Sequence, residues 1–429
     1  MKIFTLVIFI LTYAGMIALP KKRHFVALGA AVLFLVTGAM PLKFAAGRIN
    51  WNVLLMLFST MGTVALFIES RMPDRMADLI LKKTPNVMWV AVALSVFSGV
   101  VSAFVDNVAT VLMIAPVALS IAANLGISPV AMLISIAVSS NLQGAATLVG
   151  DTTSIMLGGY ADMNFMEFIF MDGRFSIFWA VELGALATVP VIMFLFRKNR
   201  QPVTSDKLTE VTDYVPTWLL VLTVVTLIVA SFFSLNISLF GVDITNGTIC
   251  LFYFVIGLIY TILRKKKDVL SDLFKEDIDY ETLLLLTSLF VVIGTLTEQG
   301  IITDIAGLFV KVGGKNLFLM YSLIVWGSVL FSAFIDNIPY VATMLPVVQG
   351  IAALMGCSPY VLFFGLLVGA TLGGNITPVG ASANIAAIGI LRRNGYDVKN
   401  SDFFRIGIPF TLIAVMVGYL FCWFVWAGV

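Results

Sequence analysis

The six residues Ser102-Ala103-Phe104-Val105-Asp106-Asn107 return at 332–337 as Ser332-Ala333-Phe334-Ile335-Asp336-Asn337, with only Val105 exchanged for Ile335. Both copies lie deep in apolar stretches. By insertion scales a carboxylate at the centre of a spanning helix costs about 2.5–3.5 kcal/mol, so an ionisable residue at membrane depth marks a functional site by default. One motif used twice, 230 positions apart, predicts a duplicated chain that carries half of a site in each copy.

Composition supports the membrane setting. The 429 residues are 60% hydrophobic and 12% charged, with a mean hydropathy of +1.03, whereas soluble domains carry about 25% charged residues. The chain therefore reads as an all-α polytopic membrane protein with the lipid bilayer as its partner. A net charge of +2 points to no macromolecular partner, and no nucleic acid is expected. Cys250, Cys357 and Cys422 are far apart and have no metal-ligand spacing. His24 follows Lys21-Lys22-Arg23 and reads as a loop residue rather than a proton relay. The apolar N-terminus has no small-residue cleavage site and reads as a first span. No Gly-x-x-x-x-Gly-Lys-Ser/Thr run occurs and the loops are short, so neither an ATP-driven pump nor an enzyme is indicated.

A spanning helix needs about 20 apolar residues. Repeat one, 1–196, has spans at 3–20, 25–41 and 50–69 and an amphipathic stretch at 73–83. Two apolar arms follow as a hairpin over 86–125, then an interrupted segment at 128–160 and a last span at 175–196. After a polar linker at 197–215, repeat two covers 216–429 in the same order. Its spans are 216–235, 247–263 and 280–298, followed by a stretch at 301–312. The hairpin is 316–355, the interrupted segment 358–391 and the last span 404–427. Glu69 maps onto Glu298, Pro116 onto Pro346 and Gly150 onto Gly380. If each hairpin enters and leaves on one side, each repeat crosses five times and the two repeats are inverted. The basic residues then sort by face. Lys2, Lys43, Arg48, Arg174, Lys311 and Lys315 lie on one, and the others, Lys207, Lys265 and Lys266 among them, on the opposite one. The basic face is cytoplasmic, which places both termini on the extracytoplasmic side of a bacterial-type inner membrane. Two full spans in place of each hairpin would sort the charges equally well. Asp-Asn, however, is a poor outer loop and a good buried turn, since both side chains hydrogen-bond backbone. Inverted repeats with broken helices and a midplane site are a recurring secondary-transporter plan.

Two constellations carry the chemistry. At the hairpin tips, Asp106 and Asn107 with Asp336 and Asn337 are candidate ligands for Na⁺ or a proton, flanked by Ser102 and Ser332. The amides at Val108 and Ile338 begin helices and offer positive potential to an anion. The alternative is that each aspartate only caps its helix. The second constellation is the helix break, with Asn141, Thr147, Gly150 and Asp151 in repeat one, and Asn375, Thr377, Gly380, Ser382 and Asn384 in repeat two. Irregular backbone at membrane depth is tolerated only where it is buried in protein or lines a cavity. Its freed carbonyls, with Thr and Asn side chains, suit a hard cation such as Na⁺; glycine packing notches are the alternative. Ala381 stands where Asp151 would repeat, so the two halves are not equivalent. Glu69 and Glu298 read as interfacial anchors, Glu182 as a relay or as the partner of a polar neighbour, and Pro116 and Pro346 as kinks. Apart from bound Na⁺, no cofactor is expected.

On these residues, with Pro339-Tyr340-Val341-Ala342-Thr343 and Gly373-Gly374 extending the second copy, the chain resembles the ion transporter superfamily. Its branch looks like the one containing the arsenite efflux permeases, the melanosomal P protein and a class of sodium/proton antiporters. The resemblance implies a homodimer whose scaffold holds a moving, elevator-type transport domain of hairpins and broken helices. In the related dicarboxylate:sodium symporters each tip reads Ser-Asn-Thr. Asp106-Asn107-Val108 and Asp336-Asn337-Ile338 add charge and remove a hydroxyl, which counts against a carboxylate substrate. Thr152-Thr153-Ser154 also departs from the usual Pro-Pro-Asn, and the tip differs from the Ala-Asn-Asp-like tip of arsenite permeases. The expected function is secondary active transport of a small ion, foremost Na⁺/H⁺ exchange with Asp106 and Asp336 as competing ligands. The alternatives are proton-coupled efflux of arsenite or another small oxyanion, and sodium-coupled carboxylate or anion transport.

Overall fold

The computed structural model describes residues 1–203, 208–233, 237–264, 267–314 and 316–428. Lys207, Lys265, Lys266 and Lys315, assigned above to membrane faces, lie outside the described residues. The fold is helical apart from two small antiparallel ribbons, Phe170–Met171 with Arg174–Phe175 and Ser238–Leu239 with Val242–Asp243. Seven of the described helices are long and apolar enough to cross a membrane, or up to nine if each of two bent pairs is one span. One of those pairs is Lys2–Ala18 with Pro20–Val36, bent by 116°. The protein is a multi-pass membrane protein.

The helix boundaries repeat because the capping residues repeat. Asn86 and Asn316 accept the amides of Trp89 and Leu319 at the start of Val87–Ser102 and Leu317–Ser332. Asp106 and Asp336 start Asn107–Leu125 and Asn337–Met355, which end at Gly126 (φ 64°) and Gly356 (φ 67°). A left-handed C-cap is a position glycine adopts without Cβ strain. Pro129 and Pro359 then precede Val130–Gly144 and Tyr360–Gly373. Each of these breaks and resumes as a second helix, Thr152–Tyr160 and Ser382–Arg393.

Packing interlocks the two halves. Arg23–Val36 lies along Tyr280–Glu298, and Thr245–Leu263 lies along Trp51–Glu69, so each half lends a helix to the other. Within each half the first hairpin arm packs lengthwise on the helix before the break, Val87–Ser102 on Val130–Gly144 and Leu317–Ser332 on Tyr360–Gly373. Gly62 permits one interlock: a Cβ there would sit 2.1 Å from Phe254, whose ring is 1% exposed and has nowhere to move. Gly62→Ala is therefore expected to lower stability by about 1–3 kcal/mol, as overpacking does in well-packed cores. Thermal unfolding in detergent checks this, and an unchanged midpoint would mean that the ring relocates.

His24 corrects a sequence-based expectation. It lies in the first turn of Arg23–Val36, not in a loop, and is 5% exposed. A single turn, Pro20–Lys22, connects the first two helices, so the second helix starts already at Arg23. The His24 Nδ1 is 3.5 Å from Glu281 Oε2.

Candidate functional site

Both aspartates at the tips cap the helix that follows. Asp106 Oδ1 accepts from the Val108 and Ala109 amides at 3.0 and 3.1 Å, and Asp336 Oδ1 accepts from the Ile338 amide at 3.0 Å. Their second oxygens differ. Asp106 Oδ2 makes no hydrogen bond among the described residues. Asp336 Oδ2 is ion-paired with the Arg23 guanidinium, and the Ser382 hydroxyl lies 3.4 Å away. Arg23 comes from the start of the second helix of the chain. Tyr13, on the first helix, reaches the same arm and donates to Pro339 O at 2.7 Å and contacts Thr343 Oγ1. The N-terminal helix pair thus clasps the second tip. Among the described residues the first tip has no such clasp.

The breaks form two matching seats. A Cβ at Gly150 would stand 2.6 Å from Gly144 O and 2.7 Å from both Ala103 O and Ser102 O. At Gly380 the same construction meets Gly374 O at 2.6, Ser332 O at 2.8 and Ala333 O at 3.0 Å. Only glycine lets three carbonyls crowd its Cα in this way. Thr147 and Thr377 pin the tip backbone by donating to Ala103 O and Ala333 O. Ser154 donates to Gly144 O at 3.5 Å, as Asn384 does to Gly374 O at 3.1 Å. One side-chain oxygen at each seat is buried without a partner, Ser102 Oγ in the first and Asn384 Oδ1 in the second. Ser332, the counterpart of Ser102, instead donates to Ala370 O.

A buried amide network joins the halves. Asn107 Nδ2 donates to Asn141 Oδ1 at 3.0 Å and to Asp151 Oδ1 at 3.3 Å. Asn141 Nδ2 crosses to the second half, donating to Thr371 O at 2.8 Å and Asn375 Oδ1 at 3.1 Å. Asn375 returns the crossing by donating to Val138 O at 2.9 Å. Thr153 donates to Asp151 Oδ2 and lies 2.9 Å from Thr371 Oγ1. Every donor in this web has an acceptor, which a buried polar cluster requires.

The tips face a cavity of about 390 Å³. Asp106, Asn107, Asp151, Asn337 and Ser382 line it from the tips and breaks, and Met61, Val64 and Ile68 form an apolar wall. Glu276, Asp277 and Asp279 line it from the segment leading into Tyr280–Glu298. Among the described residues that line it, five are carboxylates and none is Lys, Arg or His. Burial, then the neighbouring carboxylates of Asp272, Glu276 and Glu69, raise the pKa of Asp277 above the usual carboxylate range. A second cavity, of about 850 Å³, is lined by Arg48, Asp162, Asp243, Thr297 and Pro346, and no tip residue lines it. No group of three or more His, Cys, Asp or Glu among the described residues could hold a metal ion. A cation in the seats would therefore rest on carbonyl, amide and hydroxyl oxygens with isolated carboxylates, a donor set that suits hard cations.

The structure thus brings Asn107, Asn141, Asp151 and Asn375 into one hydrogen-bonded cluster, with Asp106 lining the adjoining cavity. Ser102, Thr147, Gly150, Ser332, Thr377, Gly380 and Asn384 build the backbone seats, while Asn337 and Ser382 line the cavity. Asp336 is near Ser382 and held by Arg23. Glu182 accepts from Gln143 Nε2 at 2.9 Å, and Glu298 pairs with Arg48. Sequence reading passed over Arg23, Tyr13, Glu276, Asp277 and Asp279 as parts of the site. In sequence they are loop charges, a helix cap and an apolar-helix tyrosine, and only the fold puts them beside the tips.

A family model described as "Citrate transporter" matches residues 6–369. A 46 kDa membrane protein of Mycobacterium leprae is 29% identical over 99% of this chain and 98% of its own length. An uncharacterized transporter of Mycobacterium bovis is 28% identical over 87% and 86%. The human P protein is 26% identical over 91% of this chain, which spans 56% of that longer protein. Among solved structures, the YdaH transporter of Alcanivorax borkumensis superposes with a TM-score of 0.61 at 13% identity, covering 89% of this chain and 87% of that one. MtrF of Neisseria gonorrhoeae, described as one of a class of antimetabolite efflux pumps, gives 0.57 at 16% identity, covering 92% and 84%.

Proposed function

The chain belongs to the citrate transporter family, within the ion transporter superfamily, and from that premise we propose that it exchanges Na⁺ for protons. It is a secondary transporter of the type represented by that family and the P protein, and the family and its structural neighbours are transporters, not enzymes. The observation that carries the sodium reading is the sign of the cavity at the tips. Asp106, Asp151, Glu276, Asp277 and Asp279 line it, with no basic side chain among the described residues. A free tricarboxylate would meet five carboxylates there. Moreover, the amides that could hold a substrate carboxylate at each tip are already occupied by Asp106 and Asp336 of the chain itself. A proton and a metal ion compete for the same carboxylate oxygen, and that competition couples the two fluxes.

The wider reading follows the sequence. Two inverted repeats of five spans supply a scaffold and an elevator-type transport domain, in a homodimer of the inner membrane with extracytoplasmic termini. The carboxylate-lined cavity is bordered by Glu276, Asp277 and Asp279 of the segment before Tyr280, which the charge sorting puts on the basic and hence cytoplasmic face. This conformation is the inward-facing one. Sodium-coupled carboxylate transport is the second reading. Besides the family's description, the first turns of four helices, at Val108, Thr152, Ile338 and Ser382, line the cavity, and their positive ends favour an anion.

Purified protein in liposomes with a trapped pH dye tests both. A Na⁺ gradient is imposed first; citrate and arsenite are then presented separately. Sodium-driven proton movement without added anion is expected. Silence toward sodium, with proton or sodium movement only in the presence of citrate or arsenite, would overturn the exchange reading and hand the function to the corresponding anion.

A further inference from the structure

A second built site lies away from the tips, where helices Ile177–Phe196 and Asn400–Trp426 pack lengthwise. Each helix carries an internal proline, Pro190 and Pro409. Proline withdraws one backbone amide and pushes against the preceding turn, so a wedge opens between two otherwise well-packed rods. Both prolines line a cavity of about 490 Å³, together with Phe194, Arg197, Lys198 and Arg405. The three cations come from elements about 200 positions apart, so the patch is made by the fold rather than by a run of basic sequence. Among the described residues no acidic side chain lines the cavity. None of the three forms a salt bridge among the described residues. The Arg197 guanidinium is held over the Phe194 ring at 3.8 Å from its centroid, a stacking that leaves its planar fork of donors available.

We propose that this cavity binds the headgroup of an anionic phospholipid. The ligand carries negative charge, to match three exposed cations that have no ion-pair partner among the described residues. It must also carry an apolar part, because Pro190, Pro409 and a Phe194 residue that is 62% exposed line the same cavity as the cations. A free phosphate uses only the first feature and a zwitterionic lipid satisfies the charge poorly. The site is at the basic-rich end of two membrane-length helices, the place where basic pockets between spans collect acidic headgroups. Its position gives the lipid a mechanical role. Ile177–Phe196 packs on Val87–Ser102 and Val130–Gly144, and Asn400–Trp426 packs on Tyr360–Gly373. A lipid in the wedge therefore holds the body that carries both tips and both breaks. This assignment does not rest on which ion is transported.

The test measures thermal unfolding of the full chain in detergent, with dioleoyl phosphatidylglycerol, dioleoyl phosphatidylcholine or glycerol 3-phosphate added in turn. Phosphatidylglycerol alone is expected to raise the midpoint by a few degrees. The combined variant Arg197→Gln, Lys198→Gln, Arg405→Gln should lose that rise. A control with equal charge removal on the same face, Arg392→Gln, Arg393→Gln, Lys399→Gln, should keep it. Should the combined variant not fold, Arg197→Gln and Arg405→Gln taken singly should each reduce the rise. Equal stabilisation by phosphatidylcholine, stabilisation by glycerol 3-phosphate alone, or equal loss in the control would each overturn the proposal.

Discussion

Asp106→Asn is expected to abolish sodium-driven proton flux in a protein that still folds. The substitution separates two roles of the same side chain. As a cap, Asp106 accepts the Val108 and Ala109 amides through Oδ1, and asparagine is as good an N-cap as aspartate. A purely structural residue would therefore tolerate the change, with the melting midpoint nearly unmoved. As a cation ligand, it loses its charge. At about 4 Å and an effective dielectric near 20, one unit charge is worth on the order of 4 kcal/mol, or about three decades of affinity. The Na⁺ dependence of the dye signal and the thermal midpoint, measured on the same preparation, read out the two roles. Normal exchange by a stable Asp106→Asn protein would return Asp106 to the capping role alone.

Arg23→Gln is expected to destabilise the protein by about 1–3 kcal/mol, with Asp336→Asn recovering most of the loss in the double variant. Arg23 and Asp336 are ion-paired with side chains 25% and 14% exposed. Removing one partner of such a pair leaves an uncompensated charge in poor contact with water, and that orphan costs more than the pair contributes. The pair joins the N-terminal helix pair to the second tip, whose arm Tyr13 also holds through Pro339 O. In the proposed cycle Arg23 is the resident counter-cation of Asp336, so Asp336 becomes available to a transported cation only when this clasp releases. The single variant should accordingly bind Na⁺ more tightly, seen as a lower KM, and turn over more slowly. A double-mutant cycle on stability, with KM and rate measured for each corner, checks both parts. Additive losses in stability would remove the coupling between the two residues, and an unchanged KM would remove the counter-cation role.

Much of the fold was legible in the chain because its signals are local and doubled. The interrupted segments at 128–160 and 358–391 were visible from glycine and proline in otherwise apolar runs, and each is a helix, a break and a second helix. Caps at Asn86, Asp106, Asn316 and Asp336 announce their helices within three residues, and Gly126 and Gly356 end theirs. The reading of Glu182 as the partner of a polar neighbour agrees with its hydrogen bond from Gln143. Less legible was anything that depends on a partner elsewhere in the chain. His24 and Arg23 read as loop residues after two lysines, yet they begin a helix, and Arg23 reaches a carboxylate 313 positions away. Asp279, passed over in the sequence reading, caps Tyr280–Glu298 and at the same time lines the cavity.

The sequence by itself determined the class of the protein, the approximate positions of its long helices and breaks, and the doubled motif at the tips. These follow from burial cost and backbone hydrogen bonding, which act over one or two turns and leave a mark at every repeat of the pattern. Only the tertiary structure decided that the two tips differ. Their letters are nearly identical, but Asp106 keeps an oxygen without a hydrogen-bond partner among the described residues and shares its cavity with Asp151, Glu276, Asp277 and Asp279, while Asp336 is neutralised by Arg23. That difference is electrostatic and long-range in sequence. It depends on which helix crosses which tip, and beyond the exchange of Asp151 for Ala381 the duplicated motif carries no trace of it.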